Sequence, residues 1–441
     1  MITLKSIINF VWKYLKLQKW TFFFIFLLDA LAWPLDALLW PYILRVVIDI
    51  FTQFEGNREA AWDYLIPPLL GGVGLVLFIE ISSRTMGFMI GKALPQLQAR
   101  IRMAMFDHVQ RHTPHYFNER FAGSLAGKIN DMTAQVDVLL TQLFWPIVPA
   151  LSACFLGTFF LWMVNPIFSL IWLVWMSIHL TICLKFASYC DVYEAKHGEA
   201  RNTLMGKIVD SFTNNFAVNL FYRFDYEKHF LQSFQKEEVD TNIRSKQFVE
   251  MMRIVLSLFF FLFLILGIFG TIIYLWMQNQ ITTGQTVQVF TTMWSLANIL
   301  WGVGASLPIL FQSIGTAKQA YKVMLDPSDL GDKPGAASLK VSKGEIVFEN
   351  VSFQYGDKKL FENKAIKIRG GEKVGLVGYT GAGKSSFINL ILRFYPVKEG
   401  KITIDGQDVA TVTLESLRNQ ISLIPQDPLL FHRSLKENIL S

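Results

Sequence analysis

Apolar residues fill the first three hundred positions in long runs. Six of those runs reach the roughly 20 residues an α-helix needs to cross a hydrocarbon core. They lie at 20–47, 64–91, 139–163, 167–187, 253–277 and 286–312. About 45 residues separate the second run from the third and about 65 the fourth from the fifth, and both stretches keep a helical period with charge on one face. Arms of ~22 residues would carry such hairpins roughly 33 Å past the bilayer at 1.5 Å per residue. Aromatic residues and glycine interrupt the pattern near 117–123 and 211–216, which places the tips there. Periodicity alone leaves open whether these are stalks that touch a further domain or plain cytoplasmic helices.

The pattern changes after Leu325. Residues 325–335 are polar and rich in proline and glycine, and beyond them the apolar period drops to two. Strands are expected at 345–355, 364–368, 373–377, 401–404 and 420–424, and a helix at 385–394. The expected division is therefore a membrane domain over 1–325, a linker over 326–344 and an α/β domain over 345–441.

Charge orients the spans. The N-terminus carries Lys5, Lys13, Lys16 and Lys19 without an acidic residue, whereas the first outer loop holds Asp49, Glu55, Glu59 and Asp63 against Arg58. Positive residues stay on the cytoplasmic side, so the N-terminus and, after six spans, the C-terminal domain are expected there. The turn at Asn165-Pro166 and the uncharged stretch from Gln278 to Gly284 are short outer connections. No small-residue cleavage site follows the basic N-terminus, so the first span is expected to be retained.

Composition agrees: 52% of residues are hydrophobic and only 17% charged, and mean hydropathy is +0.34, which points away from a soluble protein. The net charge of +6 is spread along the inner segments. It forms no basic stripe interleaved with aromatics, which argues against nucleic acid as a partner. Cys154, Cys183 and Cys190 lack metal-site spacing, and the first two, within or beside apolar runs, read as small packing residues.

The chemistry is concentrated in one loop. An apolar strand from Lys373 to Val377 leads into Gly378-Tyr379-Thr380-Gly381-Ala382-Gly383-Lys384-Ser385-Ser386, which then opens a helix. Gly378, four residues, then Gly383-Lys384-Ser385 is the phosphate-binding P-loop pattern. Glycines let the backbone bend around an anion, while amide N–H groups and the positive end of the helix converge on it. Lys384 should reach the β- and γ-phosphates of ATP, Ser385 should hold Mg²⁺, and Thr380, Gly381, Ala382 and Ser386 should complete the cradle.

These residues carry a resemblance. Residues 345–441 resemble the first part of the nucleotide-binding domain of ABC transporters, and 1–325 resemble the six-helix membrane domain of the exporter type. The implied fold is a multi-domain membrane protein: a six-helix all-α ABC exporter transmembrane domain followed by a partial α/β P-loop NTPase domain. In Val351-Ser352-Phe353-Gln354-Tyr355 the resemblance assigns Tyr355 to stacking on adenine, and in Ile424-Pro425-Gln426-Asp427 it assigns Gln426 to Mg²⁺ and the attacking water. A flat ring suits a flat base, and an uncharged amide can ligate a hard cation through oxygen. Ile281-Thr282-Thr283-Gly284-Gln285 and the run from Gly123 to Val136 are similar to exporter connections.

The family's signature segment and the strand ending in Asp-Glu are not found after Gln426. The resemblance therefore implies a chain that ends within its nucleotide-binding domain and that alone binds nucleotide without turning it over. Four charged residues interrupt the first two spans: Asp29, Asp36, Glu80 and Arg84. Intramembrane charge is costly and marks candidate function. Asp29 and Arg84 fall at similar depth and are expected to pair, facing a substrate cavity, fixing helix register or lying in a wet cytoplasmic extension. His179, Trp33 and Trp40 read as packing or lipid-facing residues.

The resemblance implies an ATP- and Mg²⁺-using exporter half-transporter. It would pair with a second half-transporter, as homodimer or heterodimer, in a bacterial inner membrane, among membrane lipids. Its cargo would be hydrophobic or amphipathic, such as a lipid, drug or peptide. Two other readings stay open at this point: a non-hydrolysing nucleotide-binding membrane regulator, and a non-functional truncated frame.

Overall fold

The computed structural model describes residues 4–120, 122–326, 332–355, 358–424 and 430–440. Six long helices come first: α1 (Leu4–Gln53), α2 (Glu59–Gln110), α3 (Ala122–Val164), α4 (Pro166–Thr213), α5 (Phe224–Met277) and α6 (Thr283–Leu325). Each expected span falls inside one of them. The tips also fall where expected, at short helices Pro114–Glu119 and Asn215–Leu220. The chain forms two compact units, one of Met1–Met103 with Lys128–Lys322 and one of Ala104–Gly127 with Val323–Ser441.

In the first unit a buried apolar core draws Leu38 from α1, Leu161 from α3, Trp172 and Trp175 from α4, Ile272 from α5 and Met293 and Leu296 from α6. Lipid offers helices no hydrophobic drive to associate, so close approach and polar ties hold them. Gly157 on α3 supplies the approach, since a Cβ there would sit 2.6 Å from Leu296 Cδ1. A polar tie joins the end of α1 to the start of α6. Asp49 Oδ1 accepts from the Gly284 N–H at 3.0 Å, and Arg45 Nη1 donates to Gln288 Oε1 at 3.1 Å. Helices α4 and α5 are tied by Ser245 Oγ to Glu194 Oε1 at 2.5 Å and by His197 Nε2 with Glu238 Oε1 at 2.8 Å. α3 relaxes into a π-turn over Leu143–Ile147, where Pro146 cannot donate to the ladder.

In the second unit, β1 (Ile346–Tyr355) is flanked by β2 (Lys358–Ile368) and β3 (Glu399–Ile404), and β4 (Gln407–Asp408) extends the antiparallel sheet in the order β2-β1-β3-β4. Ile346 lies opposite both Ile368 and Ile404. Helix α7 (Lys384–Ile391) packs on this sheet, with Phe387 stacked on Phe348 at 4.4 Å between centroids. Two short helices follow, α8 (Leu414–Asn419) and α9 (Leu435–Leu440).

Two expected strands are absent. Residues 373–377 and 420–424 have no ladder partner among the described residues, and Val377 and Ile424 are each 94% exposed. Both segments carry the branched apolar residues of a strand, but a strand needs neighbours, and both edges of β1 are taken by β2 and β3. Helix α7 also ends at Ile391 instead of 394. Arg393 turns left-handed there, at φ 53°, and gives its guanidinium to the carbonyls of Val409 and Val412, at 3.1 and 2.7 Å.

The turn between β3 and β4 contains an unanticipated staple. Asp405 accepts four backbone N–H bonds, from Ser342, Lys343, Gly344 and Glu345, at 2.7–3.1 Å. These bonds hold its carboxyl well below the usual carboxylate range. A carboxyl with a depressed folded pKa adds stability above its unfolded pKa of about 3.9 and loses it as pH falls through the folded value. Asp405→Asn is therefore expected to lower the urea midpoint of the detergent-solubilised chain at pH 7. Between pH 5 and pH 2.5 the variant's midpoint should fall less steeply than that of the unsubstituted protein; parallel slopes would contradict the assignment.

Candidate nucleotide site

The P-loop is shaped by conformations that glycine alone adopts cheaply. Gly381 and Gly383 have φ of 84° and 92°, and Gly383 is the N-cap of α7. A Cβ on Gly383 would lie 3.0 Å from the ring of Phe361 on β2, so the sheet and the loop leave room only for hydrogen. The first turn of any helix has amide N–H groups without intrahelical acceptors, and here that turn starts at Lys384. Phe387, Leu390 and Ile391 anchor the other side of the helix in the core beneath the sheet.

Lys384 folds back over the loop, where Nζ donates to the carbonyls of Gly378 at 2.8 Å and Tyr379 at 3.0 Å. Thr380, Gly381, Ala382 and Ser385 are exposed, whereas Ser386 is buried. Tyr355, at the end of β1, donates from its hydroxyl to Ser386 Oγ at 3.1 Å and meets Phe353 and Tyr395 edge-on. It is half-buried beside the P-loop helix, so β1 and α7 are pinned together at the site. Gln426 lies outside the described residues. An exposed glycine-lined loop, a helix N-terminus behind it and an adjacent ammonium fit a polyphosphate: the donors are backbone amides and the counter-charge is Lys384.

Sequence comparison bears on the whole chain. The family described as "ABC transporter transmembrane region" matches residues 15–297, and the one described as "ABC transporter" matches 361–439. The chain belongs to the ABC transporter family. It is similar to an uncharacterized ABC transporter ATP-binding protein of Haemophilus influenzae, with 29% identity over 99% of this chain and 71% of the relative. It is 25% identical to human ATP-binding cassette sub-family B member 6, over 90% of this chain and 48% of that protein. It is 28% identical to the mitochondrial iron-sulfur clusters transporter atm1 of Aspergillus fumigatus, over 90% of this chain and 55% of the relative. The chain thus spans about half the length of the human and fungal relatives. A solved bacterial Atm1-family ABC exporter with ATP bound shares its fold, with a TM-score of 0.80 over 93% of this chain and 71% of that one, at 22% identity. An integral, multi-pass membrane protein carrying an ABC-type ATP-binding domain is the outcome.

The membrane charges are arranged differently from the expectation. Arg84 pairs with Glu80 one turn away on α2, at 2.6 Å, and not with Asp29. A carboxylate at i−4 on the same face is always within reach. Asp29 is fully buried on α1, with both carboxylate oxygens unpartnered among the described residues, while Asp36 is exposed. His179 packs as expected, stacked on Trp175 at 4.8 Å. A polar cavity of about 800 Å³ opens between α3, α4 and α6, lined by Asp131, Glu194, His197, Arg201, Phe311 and Lys318 among others. None of the four anticipated charges lines it. Helical periodicity marked these residues only as a charged face, so nothing in the sequence singled them out.

Lys384→Ala is expected to reduce the affinity of the membrane-embedded chain for a fluorescent ATP analogue at least tenfold, the size of one or more lost charge-assisted bonds. Its thermal unfolding should stay unchanged without nucleotide, because Lys384 bonds only its own loop. Unaltered binding would remove Lys384 from the site.

Proposed function

We propose that the chain is the subunit of a dimeric exporter in which ATP, bound with Mg²⁺ at the P-loop, drives outward movement of an amphipathic cargo. The observation that carries this reading is the P-loop helix α7, held on its sheet by Phe387 and Tyr355 and joined in one polypeptide to six membrane helices. Mg²⁺ would be held by Ser385 and by Gln426, and when bound it would offset charge on the transferred phosphoryl group. Lys384 would release its own loop's carbonyls and bind the β- and γ-phosphates. Tyr355, already tied to Ser386, would present its ring edge or face to the base.

The tip of the second cytoplasmic hairpin supports a dimer. Phe216 and Tyr222 are more than 80% exposed there, beside Phe212 and Phe221, outside any span and therefore not facing lipid. Exposed aromatics in one patch mark a docking surface, and a second half-transporter is the occupant proposed. The cavity between α3, α4 and α6 carries carboxylates, His197, Arg201 and Lys318 beside Phe311, which suits a cargo with both charged and apolar parts. The fungal relative is named for iron-sulfur clusters, and sulfur-bearing cargo of that kind is the first class to test. The bacterial inner membrane is the proposed location.

Vesicles reconstituted with protein in which these residues are joined to a whole ATPase domain, signature segment and strand-end glutamate included, provide the test. With ATP and Mg²⁺ outside, they should accumulate an amphipathic thiol-containing peptide, and vesicles bearing the Lys384→Ala variant should accumulate at most one-tenth as much, in proportion to lost nucleotide binding. Equal accumulation with and without ATP would contradict the exporter reading and favour a nucleotide-responsive regulator.

A further inference from the structure

The chain crosses between its two compact units at 103/104, 127/128 and 322/323, so the tip of the first cytoplasmic hairpin is grouped with the C-terminal unit. One set of side-chain contacts joins the tip to the chain just after α6. Asp326, the first residue after α6, offers a single oxygen to two donors on the hairpin tip. Tyr116 donates its hydroxyl to Asp326 Oδ2 at 3.0 Å, and Arg120 Nη1 donates to the same oxygen at 2.5 Å. The two donors are four residues apart, and the Arg120 guanidinium lies 4.0 Å from the centroid of the Tyr116 ring. His112 stacks on Tyr116, with centroids 4.0 Å apart and planes at 30°. His112 is buried, and its Nδ1 bonds the carbonyls of His108 and Val109 in the last turn of α2.

We propose that Asp326 is a positioning residue that locks the tip of the first cytoplasmic hairpin to the chain leaving the sixth helix. The line of force runs from Asp326 through the Tyr116 hydroxyl and ring to His112, and from there into the backbone of α2. A simple ion pair would be a poor lock. The Arg120 and Asp326 side chains are 41% and 33% exposed, and pairs at that exposure contribute little on their own. What makes this one specific is that three interactions demand one geometry. Tyr116 must point its hydroxyl at Asp326 for Arg120 to lie over its ring, and the guanidinium must lie flat for its Nη1 to reach the same carboxylate. Burial first, and then the bond to Asp326, hold the Tyr116 hydroxyl above its ordinary titration range, so it remains a donor at any physiological pH.

The lock rests on this side-chain geometry alone and stands apart from the exporter reading above.

Hydrogen exchange of the full chain in lipid nanodiscs, read by mass spectrometry, tests the lock. Asp326→Asn should raise exchange of amides 114–126 about tenfold, the loss expected for a charge-assisted hydrogen bond. Exchange in the second hairpin, 200–240, should stay at its original rate and so report an intact fold. Tyr116→Phe, which keeps the ring and removes only the hydroxyl, should raise exchange of the same amides by a smaller factor of about threefold. The double reversal Arg120→Asp with Asp326→Arg should return it most of the way. Unchanged exchange in both single variants, or a double reversal no better than Asp326→Asn alone, overturns the proposal. Adding ATP and Mg²⁺ separates the two readings. If the Asp326 and Tyr116 variants loosen the tip but ATP changes exchange nowhere in the original chain, the lock stands and the exporter reading falls. If ATP alters exchange in the original chain while the variants leave the tip unaltered, the lock falls alone.

Discussion

Every part of this molecule depends on one constraint: a chain inside lipid must satisfy its backbone polar groups internally, and helices do so without partners. That requirement explains why the first three hundred residues are six helices. It does not explain their length. Helix α4 has 48 residues and would extend about 72 Å at 1.5 Å per residue, against roughly 30 Å of hydrocarbon. The excess lies beyond the candidate span Pro166–Phe186, and there Glu194, His197, Glu238 and Ser245 tie α4 to α5 alongside the stacking of Tyr193 on Phe248. Helices that are rigid and longer than the membrane can carry a displacement through it.

The C-terminal unit solves a different problem, presenting bare backbone to an anion. Its antiparallel sheet and the face of α7 enclose Phe348, Phe353, Phe387 and Ile402, and that core fixes where the first turn of α7 points. Glycine at 381 and 383 then costs conformational freedom but allows the loop to curl in front of the helix. Asp405 and Arg393 act at the far side of the same core, each bonding backbone groups that have no ladder partner in the sheet. The helix behind the nucleotide loop is thus held by packing below it, and side-chain-to-backbone bonds close the rest of that core.

Much of this could be read from residue order. The spans, the hairpin tips and the P-loop follow from apolar run length, helical period and glycine spacing, each a local property. What could not be read is non-local. Strand character at 373–377 and 420–424 is present in the residues, but a strand exists only with neighbours, and β1 has given both edges to β2 and β3. Arg84 was matched to Asp29 by depth, yet Glu80 lay one turn away on the same helix. Asp326 stood in a polar linker with nothing to distinguish it, and its partners Tyr116 and Arg120 are more than two hundred positions earlier. Longer-range pairings of this kind leave no periodic trace.

The central proposal is that nucleotide at the P-loop moves the membrane helices of two paired half-transporters, taken here as two copies of this chain. A spin label placed at Glu237→Cys, exposed on the second hairpin away from its aromatic tip, reports it directly through pulsed electron–electron distance measurement in lipid vesicles. The account predicts a defined distance between two copies that changes when ATP and Mg²⁺ are added and stays fixed in the Lys384→Ala background. No inter-copy distance, or one indifferent to nucleotide in the original chain, would contradict it.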